Sequence, residues 1–260
     1  MKFCVLGSGS KGNATLVMGE GSCVLIDAGF SGREIERRLT AVGITPSALT
    51  AIVISHEHGD HVRGAAILSR RWRIPVYANE DTRRAAGETL ARLHAYEPFD
   101  NGVSFKIAEL TIHPFSVSHD AADPVGFVFD NGRCRLGYCT DTGVVSKLMR
   151  HRLAGCRALV LECNHDPQLL KEGPYPEALK QRVKSKEGHL ANGDALSFLL
   201  ELTDGGSLVK VVLAHISETN NHPDRIRQAI EEHFQTGAVR KARPCIVLAG
   251  QERVSEVLEV

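Results

Sequence analysis

The chain has 260 residues, of which 43% are apolar and 24% charged, an ordinary composition for a globular protein with a substantial core. Lysine plus arginine and aspartate plus glutamate both total 31, so the formal net charge is zero. This balance argues against a generally basic surface that coats nucleic acid, and it leaves a local basic patch open.

No segment of the sequence predicts a membrane anchor or an export signal. No apolar run approaches the roughly 20 residues that a membrane helix needs, and residues 1–7 lack the pattern of a signal peptide. The seven cysteines are odd in number, include no Cys-x-x-Cys pair and mostly lie in apolar runs. We therefore expect reduced, buried cysteines in a cytoplasmic protein, with Cys163, which lies in a polar segment, as the least typical.

The chain opens with a strand at residues 2–6, followed by a loop rich in glycine and serine at residues 7–13. Such a loop can bind phosphate, but it lacks the Gly-Lys-Ser/Thr ending, and residues 14–18 look like a strand instead of a helix. We favour a turn whose amides or Asn13 face a functional site. A strand at residues 22–26 closes on Asp27, and Ser31 resembles a helix N-cap with Glu34 three residues on.

Strands and helices then alternate. A strand at residues 51–54 leads through a polar loop into a helix that ends near residues 71–73, followed by a strand at 74–78 and a helix at 80–93. The middle of the chain is β-rich, with strands at 103–107, 110–117, 125–129 and 133–139. Asp-Asn-Gly turn signals occur at residues 100–102 and 130–132, and the second is typical of a hairpin.

The remaining elements alternate again. Helices are predicted near residues 144–151, 176–185, 192–202 and 223–232, and strands at 158–162, 209–213 and 246–248. This order predicts two β-rich halves with helices outside them, which is an α/β fold with a four-layer αββα sandwich. The sequence contains no linker, low-complexity stretch or repeat, so we expect one domain over residues 1–260.

The polar loop after the strand at residues 51–54 is the most informative stretch of the chain. It reads His56-Glu57-His58-Gly59-Asp60-His61, so three imidazoles and a hard carboxylate fall within six residues. Crowded histidines would repel one another if protonated, whereas neutral imidazoles can share a cation. A solvated turn that is rich in histidine by chance is the less favoured alternative.

Further candidate ligands lie just past the ends of apolar strands. They are His119, Asp141 and His215. Layered α/β folds gather ligands at the carboxyl ends of their strands. Each residue alone is more often a capping or turn residue, but together with the histidine-rich loop they favour a metal site.

These motifs, in this order, resemble the metallo-β-lactamase superfamily. The matching pieces are residues 25–29, the His-x-His-x-Asp-His loop, residues 118–119, residues 140–143 and residues 213–217. The resemblance implies two metal ions, one held by His56, His58 and His119, the other by Asp60, His61 and His215, with Asp141 bridging them. It also implies a structural carboxylate, Asp27, that orients a ligand, and we expect Asn13 beside it.

Three segments, residues 7–14, 161–166 and 188–192, look like the YycJ/WalJ-like bacterial exonucleases. The last two also resemble ribonuclease Z and the cyclic phosphodiesterases of phosphonate breakdown. In those relatives a histidine before the final metal ligand acts as general acid, and His189 stands in that place. The alternative is a histidine at a helix N-terminus beside Asn192. The family motif often has serine where this chain has Ala191, which leaves open what positions His189.

The resemblance implies hydrolysis of a phosphodiester in which a metal-bridging hydroxide attacks, Asp60 belongs to the catalytic cluster and His189 protonates the leaving group. Two divalent cations, two carboxylates and five neutral imidazoles leave about two positive charges, which suits a hydroxide and a monoanionic diester. Ligands without thiolate suit manganese, zinc or iron. The resemblance favours manganese, with zinc second.

The first hypothesis for the function is a 5′-to-3′ exonuclease on double-stranded DNA. One alternative is a small-molecule hydrolase acting on a cyclic phosphodiester, a thioester or a lactam. Another is a non-catalytic regulatory interaction module that has kept the fold, which absence of bound metal in the purified protein would favour.

DNA would need a local basic groove, for which two groups of side chains are candidates, although solvated helix faces explain such runs equally well. The candidates are Arg63, Arg70, Arg71, Arg73, Lys180, Arg182, Lys184 and Lys186. The 119 residues after Asp141 (260 minus 141) are too few for a large inserted clamp domain. A homodimer is left open, and His165, His222 and Asn220 are not assigned a role.

Overall fold

A computed structural model describes residues 1–236 and 242–260, and its strands form two sheets of seven. The first sheet has the order β14-β1-β2-β3-β4-β5-β6 and contains β1 (Lys2–Gly7), β2 (Ala14–Met18), β3 (Cys23–Ile26), β4 (Ala51–Val53), β5 (Pro75–Ala78), β6 (Ala95–Pro98) and β14 (Leu258–Glu259). The second has the order β13-β12-β11-β10-β9-β8-β7 and contains β7 (Phe105–Ile107), β8 (Leu110–Ser116), β9 (Val125–Asp130), β10 (Arg135–Cys139), β11 (Ala158–Glu162), β12 (Lys210–Ala214) and β13 (Cys245–Leu248).

Along the chain, helices of the described residues alternate with these strands. They are α1 (Gly32–Ala41), α2 (Gly59–Val62), α3 (Ala65–Trp72), α4 (Glu80–Ala86), α5 (Lys147–Leu153), α6 (Pro167–Glu172), α7 (Glu177–Lys184), α8 (Asn192–Asp204) and α9 (Pro223–Thr236). Short 3₁₀ turns occupy Pro46–Ala48 and Gly87–Leu90. None of the helices described is long and apolar enough to cross a membrane.

Three apolar layers separate four layers of secondary structure. Alternate residues of β12 show how, because Val212 packs in the core between the two sheets while Val211 packs in the core that faces the helices. On the first sheet, Val53 faces the core between the sheets and Ile52 faces the core shared with α1 and α3. Strands buried on both faces explain the continuous apolar runs in the sequence. The predicted αββα sandwich is confirmed.

Local capping and turn signals explain several elements. The Ser31 side chain accepts a hydrogen bond from the Glu34 backbone N–H, which caps α1 as expected. The predicted hairpin joins β9 to β10, which pair antiparallel, and Gly132 has a φ of 79° at its turn. The turn at residues 100–102 instead connects β6 in the first sheet to β7 in the second.

Some predicted boundaries are wrong. The helix predicted over residues 80–93 ends at Ala86, because Gly87 takes a φ of 52°, and a 3₁₀ turn and strand β6 follow. The helix predicted near residue 144 begins at Lys147, where the Ser146 side chain caps it. Helix α6, capped by Asp166, and the short strand β14 were not predicted.

The cysteines are free, and six of the seven are buried. The exception to the expected burial is Cys245, which begins the outermost strand of the second sheet and is exposed. Cys163 is fully buried, and its thiol donates a hydrogen bond to Asn192 Oδ1 at 3.1 Å. The thiol therefore finds its hydrogen-bond partner on α8, 29 residues away in the sequence.

Candidate metal centre

The histidine-rich loop is held closely against the segment that follows β3. The backbone N–H of Asn13 donates to the Asp60 carbonyl at 2.8 Å, and Gly29 N–H donates to the Asn13 carbonyl at 2.9 Å. A side-chain carbon at Gly29 would lie 1.6 Å from the Asp60 carbonyl oxygen, so only glycine fits. The three segments form one unit, which fixes where the loop presents its side chains.

The fold brings all seven predicted metal ligands together. Among the described residues, ligand atoms lie within 4.8 Å of one another in four groups. Three contain predicted ligands alone: His56, His58 and His119; His56, His61 and Asp141; and Asp60, His61 and His215. The fourth joins Asp141 and His215 to Glu162 and His189. The loop residues come from the first sheet, whereas His119, Asp141 and His215 follow β8, β10 and β12 of the second. The cluster therefore lies where the two sheets meet at one edge.

Asp141 lies between the two predicted halves of the cluster. Its Oδ1 is 3.9 Å from His119 Nε2 and 3.4 Å from His215 Nε2, and its Oδ2 is 3.4 Å from His61 Nε2. A single carboxylate thus faces imidazoles of both groups. This is the placement that the bridging role would require.

Backbone strain coincides with the cluster. Asp27, Asp141 and His215 have φ values of 58°, 57° and 50°, in the left-handed region that non-glycine residues rarely adopt. Each follows the end of a buried strand, where the chain turns sharply and points a polar side chain into the cluster. Such strain persists only where surrounding contacts hold it, and it concentrates at functional sites.

Every predicted histidine ligand is tethered through the ring nitrogen that lies away from the cluster. The nitrogens and their neighbours are His56 Nδ1 and Ser55 Oγ (3.0 Å), His58 Nε2 and Asp120 O (3.2 Å), His61 Nδ1 and Asp27 Oδ2 (2.8 Å), His119 Nδ1 and Gly188 O (3.1 Å), and His215 Nδ1 and Glu162 Oε1 (3.1 Å). Metal-binding histidines are usually held in this way, since the outer contact sets the tautomer and orientation.

Three inward-facing atoms test whether the cluster fits a cation. His56 Nε2, His215 Nε2 and Asp141 Oδ2 are buried and have no hydrogen-bond partner among the described residues. A buried polar atom without a partner is costly, and native proteins rarely keep one without a role. Converging lone pairs on imidazoles and carboxylates are what a divalent cation satisfies, so the residues present fit a metal.

The electrostatics of the cluster also suit a cation. Burial lowers the pKa of His56 well below its usual value. Burial would also lower the pKa of His61, but Asp141, Asp27 and Asp60 outweigh it and raise that pKa to about 9. Burial opposes ionisation of Asp141, yet His215 and His61 hold its pKa below the usual value. The Asp141 carboxylate therefore stays charged and makes the cluster attractive to positive charge.

Asp27 and Asn13 both contact the cluster from outside it. Asp27 is fully buried, and its Oδ1 accepts the Ser55 N–H at 2.8 Å. Its Oδ2, the oxygen that holds His61, also accepts the Tyr138 OH at 3.1 Å. Asn13 Nδ2 lies 3.0 Å from His61 Nε2 and donates to Asp60 Oδ2 at 3.3 Å. Sequence reasoning missed Tyr138, whose hydroxyl lies inside an otherwise apolar strand.

His189 lies beside the cluster on a buried carboxylate. Its Nδ1 is 2.7 Å from Glu162 Oε1 and 3.8 Å from Asp141 Oδ1, and its side chain is 16% exposed. Glu162 also accepts the Thr142 N–H at 2.8 Å. Burial opposes ionisation of Glu162, but His189 and His215 lower its pKa, so it is a charged acceptor for both imidazoles.

Sequence reasoning missed Glu162 as a site residue, although a charged residue at the end of an apolar strand could have shown it. Ala191, which stands where the family motif often has serine, forms no side-chain cap on α8. The described hydrogen-bond partner of the His189 ring is Glu162 instead. The Asn192 side chain is hydrogen-bonded to Cys163 and Asn221, and no hydrogen bond of the described residues joins it to His189. The alternative role for His189, as a helix-terminal residue beside Asn192, therefore has no described hydrogen bond to Asn192 behind it.

The candidate basic side chains for DNA binding differ in what they contact. Arg70 donates to the Arg92 carbonyl, Arg71 pairs with Glu36 and Lys180 donates to the Lys171 carbonyl, all contacts on helix surfaces. Arg182 instead forms a bidentate pair with Asp120, next to His119.

Among the residues without an assigned role, His165 and Asn220 are buried, and each has a polar atom without a described hydrogen-bond partner. His222 is exposed and accepts the Asp224 N–H at the start of α9.

The chain belongs to the metallo-β-lactamase superfamily, because the β-lactamase superfamily domain matches residues 23–216. The fold and the donor cluster agree with this membership, which confirms the resemblance seen in the motifs. The chain is therefore a metal-dependent hydrolase of this superfamily.

Proteins named exodeoxyribonuclease are among the relatives that match most of the chain. It is 34% identical to the exodeoxyribonuclease YycJ of Bacillus anthracis over 239 residues, which cover 89% of this chain and 88% of the relative. It is 35% identical to the exodeoxyribonuclease WalJ of Streptococcus pneumoniae over 224 residues, which cover 85% and 83%. The crystal structure of a diphosphatase from the PhnP family shares the fold, with a TM-score of 0.68 at 21% identity, over 100% of this chain and 97% of that one.

Proposed function

We propose that the protein is a two-metal exonuclease that degrades double-stranded DNA from its 5′ ends. The relatives named exodeoxyribonuclease support a nuclease, since each covers more than four-fifths of the chain. The observation that carries the proposal is the His189–Glu162 pair beside the donor cluster. Cleavage of a phosphodiester requires a proton for the departing alkoxide, and this pair can deliver one.

One ion would be held by His56, His58 and His119, and the second by Asp60, His61 and His215, with Asp141 shared. When bound, the two ions supply an activated water and positive charge for the phosphoryl oxygens. Histidine and carboxylate donors without thiolate suit manganese, zinc or iron, and we propose manganese with zinc as the second choice.

The chain's own residues supply the proton. Glu162 accepts at Nδ1 of His189, which leaves Nε2 as the nitrogen that can meet the leaving oxygen. The same carboxylate lies 3.1 Å from His215 Nδ1, so the proton donor and a predicted ligand share one anchor. Because Glu162 is fully buried and ionised, it fixes the ring orientation of His189 and stabilises the imidazolium that must form in each cycle.

The test is digestion of end-labelled double-stranded DNA by manganese-loaded protein. We expect stepwise release of mononucleotides from 5′ ends, abolished by His189→Ala and unaffected by His222→Ala, which removes an exposed histidine outside the cluster. Digestion from 3′ ends would refute the proposed direction.

Cleavage of small or cyclic diesters but not of DNA would refute the proposed nuclease activity. It would favour the alternative of a small-molecule phosphodiesterase. Normal digestion by His189→Ala would instead refute the role of His189 as general acid.

A further inference from the structure

The glycine- and serine-rich loop at residues 7–13 carries a cation, Lys11, close to its exposed tip. Lys11 Nζ lies 2.7 Å from Glu218 Oε2, and the two side chains are 62% and 51% exposed. Glu218 follows the predicted ligand His215 by three residues. The ion pair therefore joins the glycine-rich loop to the segment after β12, which carries the predicted ligand His215.

The backbone around Lys11 is clamped by a buried glutamine. Gln251 Oε1 accepts the Lys11 N–H at 2.8 Å, and Gln251 Nε2 donates to the Gly12 carbonyl at 2.9 Å. Asn13 Oδ1 accepts the Gly9 N–H at 3.0 Å on the other side of the turn. These hydrogen bonds fix the backbone at Lys11. Its side chain, held by an exposed ion pair, can still change partners.

The same loop contacts two segments that carry predicted ligands. Asn13 N–H donates to the Asp60 carbonyl at 2.8 Å, and the Ser8 hydroxyl accepts the His215 N–H at 2.9 Å. Asp60 and His215 belong to one group of converging donors. Lys11 is therefore set at a fixed place relative to that half of the cluster.

A second cationic side chain, that of Arg63, contacts the Lys11 backbone. Arg63 is exposed, follows Asp60 by three residues and donates from Nη1 to the Lys11 carbonyl at 3.4 Å. The other candidate cations with described contacts lie elsewhere or are fixed more firmly. Arg71 pairs with Glu36, which is only 17% exposed, and Arg182 holds Asp120 through two hydrogen bonds.

We propose that Lys11 and Arg63 bind a backbone phosphate neighbouring the scissile phosphodiester, and that Glu218 occupies the Lys11 ammonium until nucleic acid displaces it. This inference rests on the proposed nuclease function. An ion pair whose two members are half exposed contributes little stability, so a phosphate can replace the carboxylate at low cost. The phosphates of DNA also release counterions on binding, which favours the exchange.

The test is a double-mutant cycle on KM for double-stranded DNA with manganese-loaded protein. Lys11→Gln should raise KM about tenfold, whereas Lys11→Arg should keep it near the wild-type value. Glu218→Gln should lower KM about threefold when Lys11 is present and have little effect in the Lys11→Gln background. Lys106→Gln, which removes an exposed lysine from β7, is the matched control.

Metal content and thermal unfolding of each variant check that the centre and the fold are kept. If Glu218→Gln lowers KM equally in both backgrounds, Glu218 merely repels DNA and the exchange is refuted. Equal KM values for Lys11→Gln and Lys106→Gln also refute it. A wild-type protein that leaves DNA intact overturns the nuclease function and this inference together, whereas an active wild type with additive effects overturns the inference alone.

Discussion

At the scale of single residues, Asp141 connects the two halves of the donor cluster. Its carboxylate lies 3.4 Å from imidazole nitrogens of both His61 and His215. We expect Asp141→Ala to lose both metals and all measurable activity, because it removes the shared ligand and leaves the facing imidazoles to repel one another if protonated. Metal content after dialysis, measured by mass spectrometry, checks this. Stoichiometric metal in the variant would contradict the shared position.

His189 and Glu162 predict a dependence on the leaving group. His189→Ala should retain metal but lower kcat on DNA by about 10²–10⁴-fold, the usual contribution of a general acid. A p-nitrophenyl diester, whose leaving group needs no proton, should be hydrolysed at a rate much closer to that of the wild type. Glu162→Gln should fall between wild type and His189→Ala on DNA. Equal losses on both substrates would show that His189 acts in some other way.

The residues that sequence reasoning found and missed differ in one physical respect. Asp141 and His215 follow the last apolar residue of a strand, so the change from apolar to polar exposes them in the sequence. Tyr138 lies inside β10 and Glu162 is the last residue of β11, and at positions within a strand the pattern alone does not tell a buried functional group from a solvent-facing one. Their roles depend on contacts to His189 and Asp27 from distant segments, which only the folded chain creates.

At the scale of elements, the close approach of the loop after β3 to the histidine-rich loop predicts a sharp glycine requirement. Gly29→Ala should cost more than about 3 kcal/mol in the free energy of unfolding or displace Asp60, because the added carbon meets the Asp60 carbonyl oxygen. Gly193→Ala is the matched control. It has open space around it within α8 and should stabilise by about 0.5 kcal/mol.

Denaturant unfolding of the two variants measures the glycine effects, and manganese titration checks the loop. Equal stabilities for Gly29→Ala and wild type, with unchanged metal affinity, would contradict the packing described.

Helix α1 is tied to β1 and to the segment after β13 through a buried arginine. Arg38 is 1% exposed and donates to the Leu6 and Gln251 carbonyls, and it also pairs with Glu34. Hydrogen bonds from Arg37 and Arg38 lower the pKa of Glu34 to about 2. A lowered carboxyl pKa stabilises the fold at pH values above the unfolded pKa near 4.5, and this stabilisation is lost as pH falls towards 2.

Glu34→Gln should therefore destabilise the metal-free protein at pH 7 by about 1 kcal/mol, allowing for solvent screening of this partly exposed side chain. The difference from wild type should shrink as pH falls from 4.5 towards 2, the window set by the two pKa values. Urea unfolding at pH 7 and pH 3 measures it, with the exposed Glu88→Gln as control. A difference that is the same at both pH values would contradict the role of the Glu34 charge.

At the scale of the whole molecule, the alternation of strands and helices predicted four layers because strands buried on both faces need helices to cover them. The pairing of β1 with β14 could not be predicted from the sequence. Strand β14 has two residues, too few to show the alternation of apolar and polar residues that indicates a strand. The position of the donor cluster could be predicted because most of its residues follow strand ends that meet at one edge. The contacts of the glycine-rich loop with Gln251 could not, because 240 residues separate Lys11 from that side chain.

The cluster draws its donors from both sheets, so a bound metal should hold the two halves of the sandwich together. Metal at about 100 times its Kd adds roughly 2.7 kcal/mol to the free energy of unfolding, since the donors converge only in the folded state. For a chain of this length, that corresponds to a rise in Tm of about 5–10 °C. Differential scanning calorimetry with and without manganese measures the shift, and a chelator should reverse it. His189→Ala should keep the shift and Asp141→Ala should lose it. A wild-type Tm that does not respond to manganese, zinc or iron would show that the converging donors do not bind metal.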